Sequence, residues 1–310
     1  MIDHSGPSLA SGQPDPTAAP ALAEHAVRRL LRAAAVTRGV ADAEFEPLPG
    51  GFSNHAWRAR LGGRQYFVRL GRSGADRLGV DRHSERALVM LAAAAGLAPP
   101  VLACDPAHGL LVTNYIEGRT WTRDDARDPR NLCRLGERLR VLHGSSVPAG
   151  LAPRSFAASA ALLESQLRDA GREVAAMRQS GRAALARLVA RAGLAVPCHD
   201  DLHHLNLVDD GDRLWLVDWE YGGAGDPAYD LASHACQHDL DADGRRQMIA
   251  ACDLGRAGAA AVDDEVLAAA CIAFDYVQWL WYRVEAARVG DPTAHDERAG
   301  AIAARLLGAG

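Results

Sequence analysis

A chain of 310 residues, 48% hydrophobic and 24% charged, is long enough for two lobes built around a real core. Its net charge of −5 argues against nucleic acid as a partner. All 34 basic residues are arginine, which excludes a Walker A loop and Schiff-base chemistry, since both need a lysine amine. Any side chain that pairs with phosphate here is an arginine.

Residues 1–20 are rich in Pro, Ser and Gly and read as a disordered tail without an apolar secretory segment. No stretch reaches the roughly 20 apolar residues that cross a bilayer. Six scattered cysteines without a C-x-x-C pair suit free thiols in a reducing compartment. A cytoplasmic protein with no membrane partner is expected.

A helix is expected at about 22–36. Strands follow at Glu44–Leu48, His55–Leu61 and Gln65–Leu70, separated by the Gly50-Gly51 and Gly62-Gly63 turns. In the second strand Trp57, Ala59 and Leu61 alternate with Arg58 and Arg60, the period of a half-buried strand. A helix at about 82–95 stops at Gly96, with Pro99-Pro100 beyond it. Val101–Cys104 and Leu110–Tyr115 complete a sheet of about five strands. Beyond 113–118 the pattern turns helical, at about 130–143, 156–192 and from Asp230 to the end. One hairpin interrupts it: Asn206–Val208, a turn at Asp209-Asp210-Gly211-Asp212, and Leu214–Val217. The fold class is therefore α+β, with a β-rich lobe over 21–117 and a mostly helical lobe over 118–310.

The chemistry-bearing segment is His199-Asp200-Asp201-Leu202-His203-His204-Leu205-Asn206. It fits H-x-D-x-x-x-x-N, the kinase catalytic-loop spacing in which Asp takes the acceptor's hydroxyl proton and Asn binds magnesium. Antiparallel pairing across the Asp210-Gly211 turn brings Asp218 back beside Asn206. Oxygen donors so arranged suit Mg²⁺, completed by water and phosphate oxygens. Asp201 is the expected base, and Asn206 and Asp218 the expected metal ligands. A His/Asp metal hydrolase is the competing enzyme class, because His199, His203, His204, His234 and His238 are dense. That alternative leaves Asn206, Asp218 and the glycine loop unexplained. A pseudokinase would be expected to lack the base or the metal ligands.

These motifs resemble the aminoglycoside phosphotransferase and choline kinase superfamily, whose loop reads H-G-D-L-H-x-x-N before a hydrophobic strand ending in Asp. The likeness runs over most of residues 44–282. Leu216-Val217-Asp218-Trp219-Glu220-Tyr221 is similar to the choline/ethanolamine kinase form of the metal strand. Asp200 and His204 depart from the family's usual Gly and Pro. The resemblance implies a protein-kinase-like fold, ATP as co-substrate and Mg²⁺ as cofactor.

It further implies a nucleotide loop at Pro49-Gly50-Gly51-Phe52-Ser53-Asn54, with Gly50, Gly51, Ser53 and Asn54 near phosphate. It puts Arg69 in the place of the kinase β3 lysine with Glu85 as ion-pair partner. Tyr115 would lie at an adenine-facing hinge, and His199 and Asp230 would brace the catalytic loop. Five aromatic residues fall within 274–282, and choline kinases carry a similar Trp-rich late helix. Asp275, Trp279, Trp281 and Tyr282, with Glu220, are thus expected to line a pocket for a small cationic amino alcohol held by cation–π attraction. An aminoglycoside or a thiamine-type alcohol is the alternative acceptor.

Overall fold

The computed structural model describes residues 18–48, 54–72, 74–167, 171–189, 191, 195–252, 261–289 and 291–308. The expected tail lies outside them up to residue 17. Its last three residues instead open helix α1, Ala18–Ala33, which begins and ends earlier than the expected helix.

Strands β1 (Glu44–Pro47), β2 (Asn54–Leu61), β3 (Arg64–Gly71), β4 (Val101–Asp105) and β5 (Leu110–Asn114) form one antiparallel sheet, in the order β1-β2-β3-β5-β4. Alternation sets its faces. Trp57 and Ala59 of β2 and Tyr66 and Val68 of β3 are buried with Val27 and Leu31 of α1, which caps the outer side. On the inner side, Leu111 joins the core that helix α2, Arg82–Ala94, shares with the helical lobe. Asp81 caps α2 by accepting from the His83 amide at 3.0 Å. Each of these large apolar side chains contributes about 1.5–3 kcal/mol on burial.

The helical lobe comprises α3 (Pro129–His143), α4 (Phe156–Glu164), α5 (Arg172–Val189), α6 (Ala228–Gln237), α7 (Ala242–Cys252), α8 (Asp264–Ala286) and α9 (Thr293–Leu307). The continuous helical run expected over 156–192 is two helices. Ser165 directs its hydroxyl to the Leu162 carbonyl at 2.7 Å, a local bond that competes with helix propagation. Helix α8 lies centrally, packed on α4, α5, α6 and α9. Strands β6 (Arg119–Thr120), β8 (Leu207–Asp209) and β9 (Leu214–Leu216) make a small sheet, and β7 (Val196–Cys198) pairs with β10 (Gly223–Gly225). These two sheets bracket the segment carrying Asp201. All six cysteines are free, and no helix among the described residues is long and apolar enough to cross a membrane.

Helices α3 and α7 approach closely because position 136 is glycine. A β-carbon there would stand 2.3 Å from the Ala251 Cβ and 2.9 Å from the Ala251 carbonyl carbon. Gly136→Ala is expected to lower stability by about 1–3 kcal/mol, as overpacking does. In urea unfolding this reads as a lower midpoint at unchanged slope; an unchanged midpoint would contradict the close approach.

Candidate active site

The loop after β7 is held from behind by helix α6. Asp230, fully buried, accepts at Oδ1 from the backbone amides of His199 (2.9 Å) and Asp200 (2.6 Å). Its Oδ2 meets the ring Nε2 of His143, also buried, at 2.8 Å. The Ser233 hydroxyl accepts from the Leu202 amide at 2.8 Å. His199 Nδ1 accepts from the Asp201 amide at 3.3 Å, so the ring proton sits on Nε2, which donates to the Val217 carbonyl at 3.0 Å. Burial holds this imidazole below the ordinary histidine range, in its neutral form. Asp200 takes a left-handed φ of 64°, a conformation glycine adopts freely and Asp tolerates.

Across the hairpin, Leu207 pairs with Leu216, and the Val217 amide donates to the Asn206 carbonyl at 3.0 Å. Asp218 comes next, at φ 62°, where the chain turns so that Trp219 tucks its indole N–H onto the Leu216 carbonyl at 3.1 Å. Asn206 Nδ2 donates to the Asp201 backbone oxygen (2.9 Å) and to its Oδ2 (3.3 Å). That use of the nitrogen leaves Asn206 Oδ1 as the amide atom suited to a cation. Gln237 Nε2 donates to Asp201 Oδ1 at 3.1 Å, and His203 Nε2 stands 3.6 Å from Oδ2. The carboxylate of Asp201 is thus fixed from both sides.

The sheet contributes the opposite wall. Arg69, 3% exposed, forms a two-pronged ion pair with Glu85, Nη2 to Oε2 at 2.8 Å and Nη1 to Oε1, and Nη1 also reaches Asp218 Oδ1 at 3.4 Å. Arg82 Nη1 donates to Glu85 Oε2 (2.8 Å) and to Glu220 Oε2 (3.0 Å). Asn54 closes the network, receiving Arg82 Nη2 at 2.9 Å and donating to Glu220 Oε2 at 2.9 Å. Partial burial (the Asp218 side chain is 39% exposed) and the nearby carboxylates of Glu220, Glu85 and Asp201 raise the Asp218 carboxyl above the usual range, with Arg69 opposing them. The oxygen donors around Asp218, with the Arg69 guanidinium beside them, fit a hard divalent ion such as Mg²⁺.

Several expected residues lie elsewhere. Glu220 Oε2 is locked between Asn54 and Arg82. Asp275 is clamped by Arg305, Nε to Oδ2 at 2.9 Å and Nη2 to Oδ1 at 2.6 Å, and Trp279 is fully buried against Tyr276. Trp281, by contrast, donates its indole N–H to the Tyr221 hydroxyl at 3.2 Å, three residues beyond Asp218. Tyr282 accepts from Arg298 at 3.2 Å. Tyr115 donates its amide to the Gln65 carbonyl at 3.0 Å, with Arg58 over its ring. Gly50, Gly51 and Ser53 lie outside the described residues.

Arg82 and Gln237 are site residues the sequence reading missed. Arg82 stands three positions before Glu85, hence on the same helical face, which is a usable signal. Gln237 carries none. The helical histidine pair of the competing hydrolase reading is occupied: His234 contacts the Leu202 and Ala126 carbonyls, and His238 the His234 carbonyl and the His204 amide.

The sequence pattern of the phosphotransferase enzyme family matches residues 44–282. The chain belongs to that family. Among its relatives, the choline/ethanolamine kinase of Rattus norvegicus is 25% identical over 217 residues, covering 63% of this chain and 55% of that protein. Protein LicA of Haemophilus influenzae is 49% identical over 37 residues, 12% of this chain and 14% of LicA. The matches thus span about half of the rat protein and a short stretch of LicA. A choline/ethanolamine kinase family protein from Mesorhizobium loti has a crystal structure that superposes with a TM-score of 0.71 at 28% identity, covering 91% of this chain and 94% of that one. Family members share the two-lobed, protein-kinase-like α+β fold seen here.

Burial alone would raise the Glu85 carboxyl; Arg69 and Arg82 outweigh it and hold it below the usual range. Its stabilising contribution is therefore full above the ordinary glutamate pKa of about 4.3 and is lost as pH falls through the lower folded value. Glu85→Ala is expected to cost about 3–5 kcal/mol near neutral pH, because it takes from the buried Arg69 its two-pronged partner and from Arg82 one of its carboxylates. Urea unfolding at pH 7 and pH 3 checks both parts. A loss at pH 7 no larger than at pH 3 would contradict the pairing.

Proposed function

We propose that this chain transfers the γ-phosphoryl group of ATP, with Mg²⁺, to the hydroxyl of a small cationic amino alcohol, choline or ethanolamine. The observation that carries the reading is the meeting of Asp201, Asn206 and Asp218 at one end of a hairpin, opposite the buried Arg69–Glu85 pair. Residues 21–117 would then form the nucleotide lobe and 118–310 the catalytic and acceptor lobe. ATP as donor favours the cytoplasm as compartment.

In this reading Asn206 Oδ1 and the Asp218 carboxylate hold Mg²⁺, which when bound offsets charge on the β- and γ-phosphates. Arg69, fixed by Glu85, presents a permanent cation toward the phosphates. Asp201 takes the proton from the acceptor hydroxyl as the new O–P bond forms and the bond to ADP breaks. Gln237 and Asn206 keep its carboxylate from rotating out of line. The Trp281–Tyr221 pair, anchored just beyond Asp218, supports a cationic acceptor, since aromatic faces attract ammonium by about 0.5–2 kcal/mol per contact.

The test is ATP consumption with Mg²⁺ over choline, ethanolamine, thiamine and aminoglycosides. Choline- or ethanolamine-dependent turnover is expected, and Asp201→Ala should lower kcat by about 10²–10⁴-fold, the contribution of a positioned base. Turnover with none of these acceptors would contradict the proposal.

A further inference from the structure

Both carboxylates that the sequence assigns to the acceptor's cation are engaged elsewhere, Glu220 by Asn54 and Arg82 and Asp275 by Arg305. A third carboxylate lies on the face of α8 that reaches the metal strand. Glu285 follows Trp281 by four residues and so shares its helical face. Its side chain is only 13% exposed, and Oε1 is buried with no hydrogen-bond donor. The Arg288 Nη1 stands 3.6 Å away, an ion pair beyond hydrogen-bonding reach. A carboxylate oxygen removed from water without a donor is an unfavourable arrangement, and a cation seated against it relieves the cost.

The surroundings fit a small ammonium. Trp281 and Tyr221 meet edge to hydroxyl on one side. Arg154 passes over the Tyr221 ring at 5.9 Å and donates to the Gly79 carbonyl at 2.8 Å. Arg288 extends to the same segment of the sheet lobe, its Nη2 3.3 Å from where a Gly74 β-carbon would stand. Trp281, Tyr221 and Glu285 therefore lie under the stretch between Gly74 and Gly79, on the catalytic side of α8. Arg288 is 38% exposed and only loosely held.

We propose that Glu285 is the carboxylate that pairs with the acceptor's ammonium group, beside the Trp281–Tyr221 wall, and that Arg288 is an internal stand-in which the acceptor displaces. This rests on the phosphotransferase reading and narrows it. The enzyme selects alcohols by positive charge, through one residue on α8.

The test compares choline with its uncharged carbon isostere, 3,3-dimethylbutan-1-ol, in ATP-consumption assays on the parent, Glu285→Gln and Arg288→Ala, with thermal midpoints as the check on folding. Glu285→Gln is expected to raise KM for choline by about ten- to a hundredfold, the scale of a lost charge pair, while KM for the isostere and for ATP stays put. Arg288→Ala should lower KM for choline several-fold. An unchanged choline-to-isostere preference in Glu285→Gln overturns the assignment and leaves the kinase reading standing. Should that variant fail to fold, an unchanged KM in Arg288→Ala overturns it instead. A parent that uses ATP with neither alcohol overturns choline as the acceptor, and Glu285's role with it.

Discussion

Arg69 cannot shed its proton, and it is almost wholly removed from water. A guanidinium in that position is tolerable only when charge and hydrogen bonds surround it. Burial works against the charged form, yet Glu85, Asp218 and Glu220 outweigh it and keep Arg69 firmly protonated. These partners come from α2, from the turn after β9 and from the segment beyond it. One buried cation on β3 thereby fixes where the sheet, the helix and the catalytic hairpin stand relative to one another.

The second layer follows from the first. Glu85 carries two guanidiniums, so Arg82 is drawn in beside Arg69, and Arg82 in turn fixes Glu220. Asn54, at the start of β2, joins that cluster by accepting from Arg82 and donating to Glu220. The end of β2 nearest the glycine loop is thus tied to the residue two places past Asp218. Asp230 does for the catalytic loop what Glu85 does for the sheet: one buried carboxylate gathers two backbone amides and a histidine. Two buried carboxylates, Glu85 and Asp230, thus anchor the sheet side and the loop side of the cleft.

The parts legible in the sequence are those governed by local spacing. Alternation marked Trp57 and Ala59, Asp210-Gly211 marked the hairpin, and the register of that hairpin is enough to bring Asp218 beside Asn206. The Arg69–Glu85 pair was legible only through family resemblance, because a strand residue and a helix residue 16 positions apart carry no spacing rule. What failed was the inside of α8. Its aromatic stripe gives a period but not a facing, and α8 is enclosed by four helices. Trp279 therefore turns into the core while Trp281, two residues on, reaches Tyr221. Glu220 misled for a related reason: position after the metal strand is sequence information, but its partners Asn54 and Arg82 are supplied by the other lobe.

The proposed site stands or falls on whether Asn206 and Asp218 jointly hold a divalent ion facing Arg69. The most direct measurement is a crystal structure grown with Mn²⁺ and a non-hydrolysable ATP analogue, with the metal located by its anomalous scattering. A peak bonded to the Asn206 side-chain oxygen and the Asp218 carboxylate is expected, with the analogue's phosphates on the Arg69 side. A peak on other ligands, such as the buried His143, Cys198 and Asp230 group, or a bound analogue with no metal at the hairpin, would contradict it.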